Sequence, residues 1–135
     1  MLNRTSIIWV KSGYFEIEPG EESKTNPGRY GKAFAEWLAE RMRGKGHAVV
    51  DVSPEDWGWE VTLMKSPIRL SLCCGNRDGE VDEWGVWVDG EVGFLRRLTT
   101  PSLKKELNSV VQDTFSVLEK IMSEVPKASS VWMGE

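Results

Sequence analysis

Two stretches place adjacent carboxylates directly before an indole: Glu55-Asp56 before Trp57, and Asp82-Glu83 before Trp84. Glycoside hydrolysis uses two carboxylates facing each other across a cleft, often beside aromatic sugar platforms. Acid-acid-Trp is compatible with that chemistry without being specific to it. Cys73 and Cys74 are the only cysteines and are neighbours. Adjacent strand residues point to opposite faces, so a bridge between them would be strained. The expectation is one buried and one outward thiol. Zinc needs about four ligands at recognisable spacing, and two adjacent cysteines with the single histidine, His47, do not supply it. No G-x-S-x-G, Walker A or H-E-x-x-H motif occurs. Neither a metal nor a cofactor is expected, and no catalytic residue is assigned.

Charge narrows the partner class. The chain has 135 residues and a formal net charge of −4. Between Asp51 and Glu91 ten acids face only three bases, Lys65, Arg69 and Arg77, so the middle carries −7 and the remainder +3. A negative field repels phosphate backbones and attracts basic proteins. Arg96, Arg97, Lys104 and Lys105 form a basic cluster nearby, but direct nucleic-acid binding is not expected.

These side chains need a scaffold. One domain spanning 1–135 suits this length. No apolar run is long enough to span a membrane, and the opening residues lack a signal peptide's apolar core. A cytoplasmic, non-membrane protein is expected. Thr5 to Glu18 reads as a strand, breakable at Gly13. Asn26-Pro27 reads as N-cap and first turn of a helix carrying Tyr30, Phe34, Trp37, Leu38 and Met42 on one stripe. Gly44-Lys45-Gly46 stops it. His47–Val52 reads as a short strand and Ser53–Asp56 as a turn. Trp57, Trp59, Val61 and Leu63 alternate, as do Ile68, Leu70, Leu72 and Cys74. Trp84, Val86 and Val88 alternate towards Asp89-Gly90, a two-residue hairpin signal. Val92, Phe94 and Leu95 to Leu98 would return from it. Thr100-Pro101 opens the clearest amphipathic helix, with Leu103, Leu107, Val111, Leu118 and Ile121 on its stripe. Val131-Trp132-Met133 reads as a small closing strand. The expected fold is α+β: a twisted, mainly antiparallel sheet of five to six strands, with two amphipathic helices on one face as a two-layer sandwich.

Seven tryptophans are many for this length. Trp37 falls on the helical stripe, and Trp57 and Trp59 share a strand face, so all three are expected in the core. Trp87 is out of phase with Trp84, Val86 and Val88 and should face outward. Trp9 does the same in one register. An outward indole among acids suits an interface anchor.

Several segments together resemble small bacterial single-domain proteins of unassigned function: Glu18-Pro19-Gly20-Glu21-Glu22, Asn26-Pro27-Gly28-Arg29, Ala33 to Leu38, Pro54-Glu55-Asp56-Trp57-Gly58-Trp59, and Cys74-Gly75-Asn76. The likeness covers about the central two thirds of the chain. It implies a bacterial, cytoplasmic, single-domain protein and transfers no catalytic residue.

The functional expectation is a non-catalytic, immunity- or inhibitor-type binding module. It would present Asp82, Glu83, Trp87, Asp89 and Glu91, flanked by Glu55 and Asp56, to a basic partner such as a nuclease toxin or a nucleic-acid-handling protein. Steering by charge and a few aromatic anchors would drive association. The alternative is a small enzyme or ligand-binding protein using the carboxylates of Glu55, Asp56 or Glu60, or His47, in a pocket beside Trp57 and Trp59. A homodimer burying Trp9 and Trp87 is a third possibility.

Overall fold

The computed structural model describes residues 2–134, except the side chains of Leu2, Phe94, Leu95 and Arg97. The chain folds as α+β. Its strands are β1 (Leu2–Arg4), β2 (Ile7–Ser12), β3 (Asp51–Glu55), β4 (Gly58–Met64), β5 (Arg69–Asn76), β6 (Glu83–Glu91) and β7 (Ala128–Gly134). Its helices are α1 (Lys32–Gly44), the short α2 (Phe94–Thr99) and α3 (Leu103–Met122). The strands form one unclosed sheet of order β3-β4-β5-β6-β2-β7, with β1 also on β6, and every pairing is antiparallel. Seven strands replace the five or six expected, because β1 and the full length of β7 join the sheet.

Alternation works where both neighbours are strands. Leu70, Leu72, Cys74, Trp84, Val86 and Val88 are buried in one cluster with Ile8, Val10, Phe34, Leu38, Leu107, Val111 and Leu118. That cluster draws on α1, α3 and the even-numbered positions of β2, β5 and β6. The Trp84 indole is 1% exposed, and its Nε1–H donates to the Ser12 carbonyl at 3.0 Å. Ser12 is itself buried and gives its hydroxyl hydrogen to the Pro126 carbonyl at 2.7 Å. The chain therefore leaves β2 at a point locked to both β6 and the approach to β7.

Four expected elements shift, each for a tertiary reason. Asn26-Pro27 does not open α1. The helix begins after Gly31, where the buried Glu21 carboxylate accepts the N–H groups of Gly31 and Lys32 at 2.8 and 2.6 Å. Helix N-termini leave such donors unsatisfied, and a carboxylate there is favoured. Thr100-Pro101 likewise precedes α3 by a turn, with Ser102 at the cap position. Asp89-Gly90 is no hairpin: both residues lie inside β6, opposite Ser71 and Leu70. A Cβ at Gly90 would come within 2.5 Å of Val111 and 2.8 Å of Leu107, so Gly90 gives α3 close access to the strand. The expected return strand is instead Val92-Gly93 followed by α2; the side chains of Phe94 and Leu95 lie outside the described residues.

The fourth shift moves an indole. Ser53-Pro54-Glu55, read as a turn, ends β3, and the turn is Asp56-Trp57. Glu55 pairs with Gly58, whose φ is +154° and whose Cβ position lies 2.4 Å from the Cys74 carbonyl oxygen, leaving room only for glycine. Trp57 therefore leaves the strand phase.

Candidate functional site

The odd-numbered positions of β6 define a second face. Glu83, Gly85, Trp87, Asp89 and Glu91 project opposite to the core set of Trp84, Val86 and Val88. Their cross-strand partners are Arg69 for Glu91, Ser71 for Asp89, Cys73 for Trp87 and Gly75 for Gly85 on β5. Glu60 and Thr62 of β4 stand opposite Cys73 and Ser71. On the other side of β6, Arg4 opposes Asp89 and Trp9 opposes Gly85.

Four indoles lie along this face. Trp57 is 38% exposed, and its ring centroid is 5.6 Å from that of half-buried Trp87. Trp9 and Trp132 stack across the β2–β7 pair with centroids 6.5 Å apart and planes 18° apart. The Trp9 ring covers Gly85 so closely that a Cβ there would fall 2.6 Å from it. The Arg4 guanidinium sits 6.0 Å from the Trp87 centroid, a cation–π distance. The expectation that Trp57 and Trp59 share a core face is corrected: Trp59 is 4% exposed within the core cluster, whereas Trp57 packs on Trp87 on the other side.

The expected anions divide. Glu83, Asp89 and Glu91 share the indole face with Trp87. Glu55 ends β3 at the turn that carries Asp56 and Trp57. Asp82 precedes β6, and its carbonyl accepts the Ser12 N–H at 2.8 Å. Glu83 is paired with Arg77 at 3.6 Å, while Glu55, Asp56, Asp82 and Glu91 take part in no ion pair among the described residues. Sequence reasoning offered Glu60 only for the small-enzyme alternative and not for the binding face, where it pairs with Arg69 at 3.0 Å. It missed Ser71, Trp132 and Arg4. The alternation of Arg69, Ser71 and Cys73 against Leu70, Leu72 and Cys74 was the available signal for Ser71. The face is therefore mixed in charge, with Arg4, Lys11, Arg69 and Arg77 among the acids.

Its polar groups are incompletely satisfied. Asp89 Oδ1, Ser71 Oγ and Trp87 Nε1 are buried without a hydrogen-bond partner among the described residues. Cys73 approaches the other Asp89 oxygen, Sγ to Oδ2, at 3.9 Å. Burial pushes the Asp89 carboxyl above the usual range; Glu91 and Glu60 add to this and Arg4 opposes it. Both cysteines are buried free thiols, which corrects the outward thiol, and burial pushes both well above the usual range. His47 is half-buried just past α1, its N–H bonded to the Met42 carbonyl at 2.9 Å. Among the described residues, no group of three or more His, Cys, Asp or Glu side chains is arranged to hold a metal ion. No described helix is long and apolar enough to cross a membrane.

No protein-family model, no curated protein and no solved structure matches this chain.

Proposed function

We propose that the chain is a non-catalytic protein-binding module of the immunity or inhibitor type. In this reading both helices cover the core face as one layer of a two-layer sandwich. The indole face is then left for a basic partner, such as a nuclease toxin or a nucleic-acid-handling protein. The supporting observation is the Trp57–Trp87 pair at 5.6 Å, set on the same side of β6 as Glu83, Asp89 and Glu91. Indoles concentrate binding energy at interfaces. Glu55, Asp56, Asp82 and Glu91, which take part in no ion pair among the described residues, supply steering for a positively charged surface. The bases on the face lie beside acids of this chain, so they define register more than net attraction.

A capture experiment from the native cell tests this, with wild type and Trp57→Ala as parallel baits. The expected result is a basic protein held by wild type, released by raised salt and lost from the Trp57→Ala bait. Identical retention by both baits, salt-independent retention or no retained protein would overturn the reading. So would a stable homodimer that buries Trp9 and Trp87 against a second copy.

A further inference from the structure

The two outer strands of the sheet are built differently. β3 carries Asp51, Pro54 and Glu55 within five residues. Charge and proline are common means of keeping a sheet edge from pairing with another chain. β7, at the opposite end of the strand order, carries neither over Ala128–Gly134. Among the described residues it pairs with β2 alone, so its outer row of N–H and C=O groups has no strand beside it. The register shift in this pair lies at Ser129, between the partners of Lys11 and Ser12. From Ser130 to Gly134 the pairing runs without interruption.

Both faces of that uninterrupted stretch are apolar. Val131 and Met133 stand opposite Val10 and Ile8, two core residues, yet they are 48% and 52% exposed. The apolar row of the core face therefore continues to the rim of the sheet and ends in solvent. On the other face Trp132 stacks on Trp9 and stays half-buried.

A second copy fits this edge. Identical strands that pair antiparallel close on a two-fold axis. With the axis at Trp132, each Val131 meets Met133 of the second copy on the core side, and the two Trp132 rings meet on the indole side. Ser130 then opposes Gly134. With the axis at Val131, Met133 would instead meet Ser129, where the register shifts. Charge also permits self-approach: no acid or base lies in β7. Lys127 precedes the strand, but the axis sends its two copies to opposite ends, roughly 34 Å apart at about 3.4 Å per residue. That exceeds the screening length of about 8 Å. The strip is about 17 Å long and about 10 Å deep, well short of the roughly 800 Å² per partner of a standard interface. Association is therefore reversible and depends on concentration.

We infer that β7 is a self-association edge, through which two copies pair antiparallel over Ser130–Gly134 about an axis at Trp132. The axis stands perpendicular to the joined sheet, so both indole faces lie on one side and Trp57 and Trp87 stay open. This goes beyond the binding-module reading and does not depend on it.

Sedimentation of the whole protein from about 10 μM to about 1 mM tests this. The average mass should rise from one chain towards two. Val131→Lys should weaken association at least about tenfold, because it sets a charge in the apolar strip. Val50→Lys, a change at a 50% exposed position beside β3, should leave association unchanged. Unchanged urea unfolding of Val131→Lys shows that lost association is not lost folding. Cysteine pairing reads the register, with oxidised glutathione taking up the two thiol hydrogens. A mixture of Val131→Cys and Met133→Cys proteins should join rapidly by a disulfide. Each alone should join slowly, since its two cysteines stand diagonally at about 7–8 Å. A monomer at every concentration, association that survives Val131→Lys, or equal joining of single and mixed variants would overturn the inference. A monomer whose captured protein is lost from a Val131→Lys bait would overturn it in favour of a strand added by another protein. The binding-face reading is judged apart from this: capture there depends on Trp57, and Trp57→Ala should associate as wild type does.

Discussion

Trp57 and Trp87, thirty residues apart in sequence, bring their ring centroids to 5.6 Å by different routes: one from a hairpin turn, the other from the outward phase of a strand. Trp57 remains 38% exposed, so the fold loses little by giving it up. Trp57→Ala should cost about 1 kcal/mol of stability, the typical worth of an aromatic pair. Partner affinity should fall by about 2 kcal/mol or more. Trp84→Ala, at the buried end of the same strand, should cost about 3–5 kcal/mol of stability. Urea unfolding and titration calorimetry separate the two outcomes.

Glu21 caps α1 from ten residues away. Removing its carboxylate leaves the N–H groups of Gly31 and Lys32 without their acceptor. Glu21→Ala should destabilise the fold by about 1–2 kcal/mol, and Glu21→Gln by less, because an amide oxygen still accepts. Hydrogen exchange at Gly31 and Lys32 should quicken in Glu21→Ala. Unchanged exchange would mean that solvent caps the helix equally well.

Gly85 lies beneath the Trp9 ring. Gly85→Ala should displace the indole and cost about 1–3 kcal/mol by overpacking. Gly13→Ala, where a Cβ meets nothing within 4 Å, tests the same exchange without a clash. Combining Gly85→Ala with Trp9→Leu should recover part of the loss, since contacting sites couple.

Asp89 gives a pH signature. Burial raises its folded carboxyl pKa above the unfolded value of about 3.9. The stability associated with its protonated form is present below the unfolded pKa and is lost as pH rises through the folded one. Asp89→Asn should remove that fall and gain on wild type across the same window, keeping the advantage at neutral pH. Urea midpoints measured from pH 3.5 to 7 read this directly.

Cys73 and Cys74 offer a simpler check. Both are buried, with thiol pKa values pushed up by desolvation. Native protein should react slowly with a thiol reagent at pH 8, and both thiols should react promptly in denaturant. Rapid labelling of one thiol in the native state would show that Cys73 reaches solvent beside Asp89.

The strands with pleated neighbours were legible from their own residues. Leu70, Leu72 and Cys74 follow the two-residue period, as do Trp84, Val86 and Val88, because apolar types fill the core face while Arg69, Ser71, Glu83 and Asp89 fall on the other. The outward phase of Trp87 followed from the same rule. Positions settled by distant contacts were not legible. Asn26-Pro27 has the local chemistry of a helix start, but Glu21 supplies the cap and the helix waits for it. Asp89-Gly90 has turn chemistry, but Val111 and Leu107 need the glycine as a gap. Trp57 looked like the first member of a strand face because nothing local shows that Gly58 must pass within touching distance of the Cys74 carbonyl. The approach of Ser71 to Asp89 was hidden for a similar reason: the two stand opposite each other only once β5 and β6 are in register.

The position of β2 between β6 and β7 bears on how the protein is made. Ser12 accepts from Trp84, 72 residues onward, and donates to Pro126, 114 residues onward. During synthesis at about 5–20 residues per second, Ile7–Ser12 emerges many seconds before either flanking strand exists. The hairpin of β3 and β4 and the first helix can form early, while this apolar segment stays open to misassociation. Translation speed and chaperone access over that interval should govern soluble yield more than the stability of the finished sheet does.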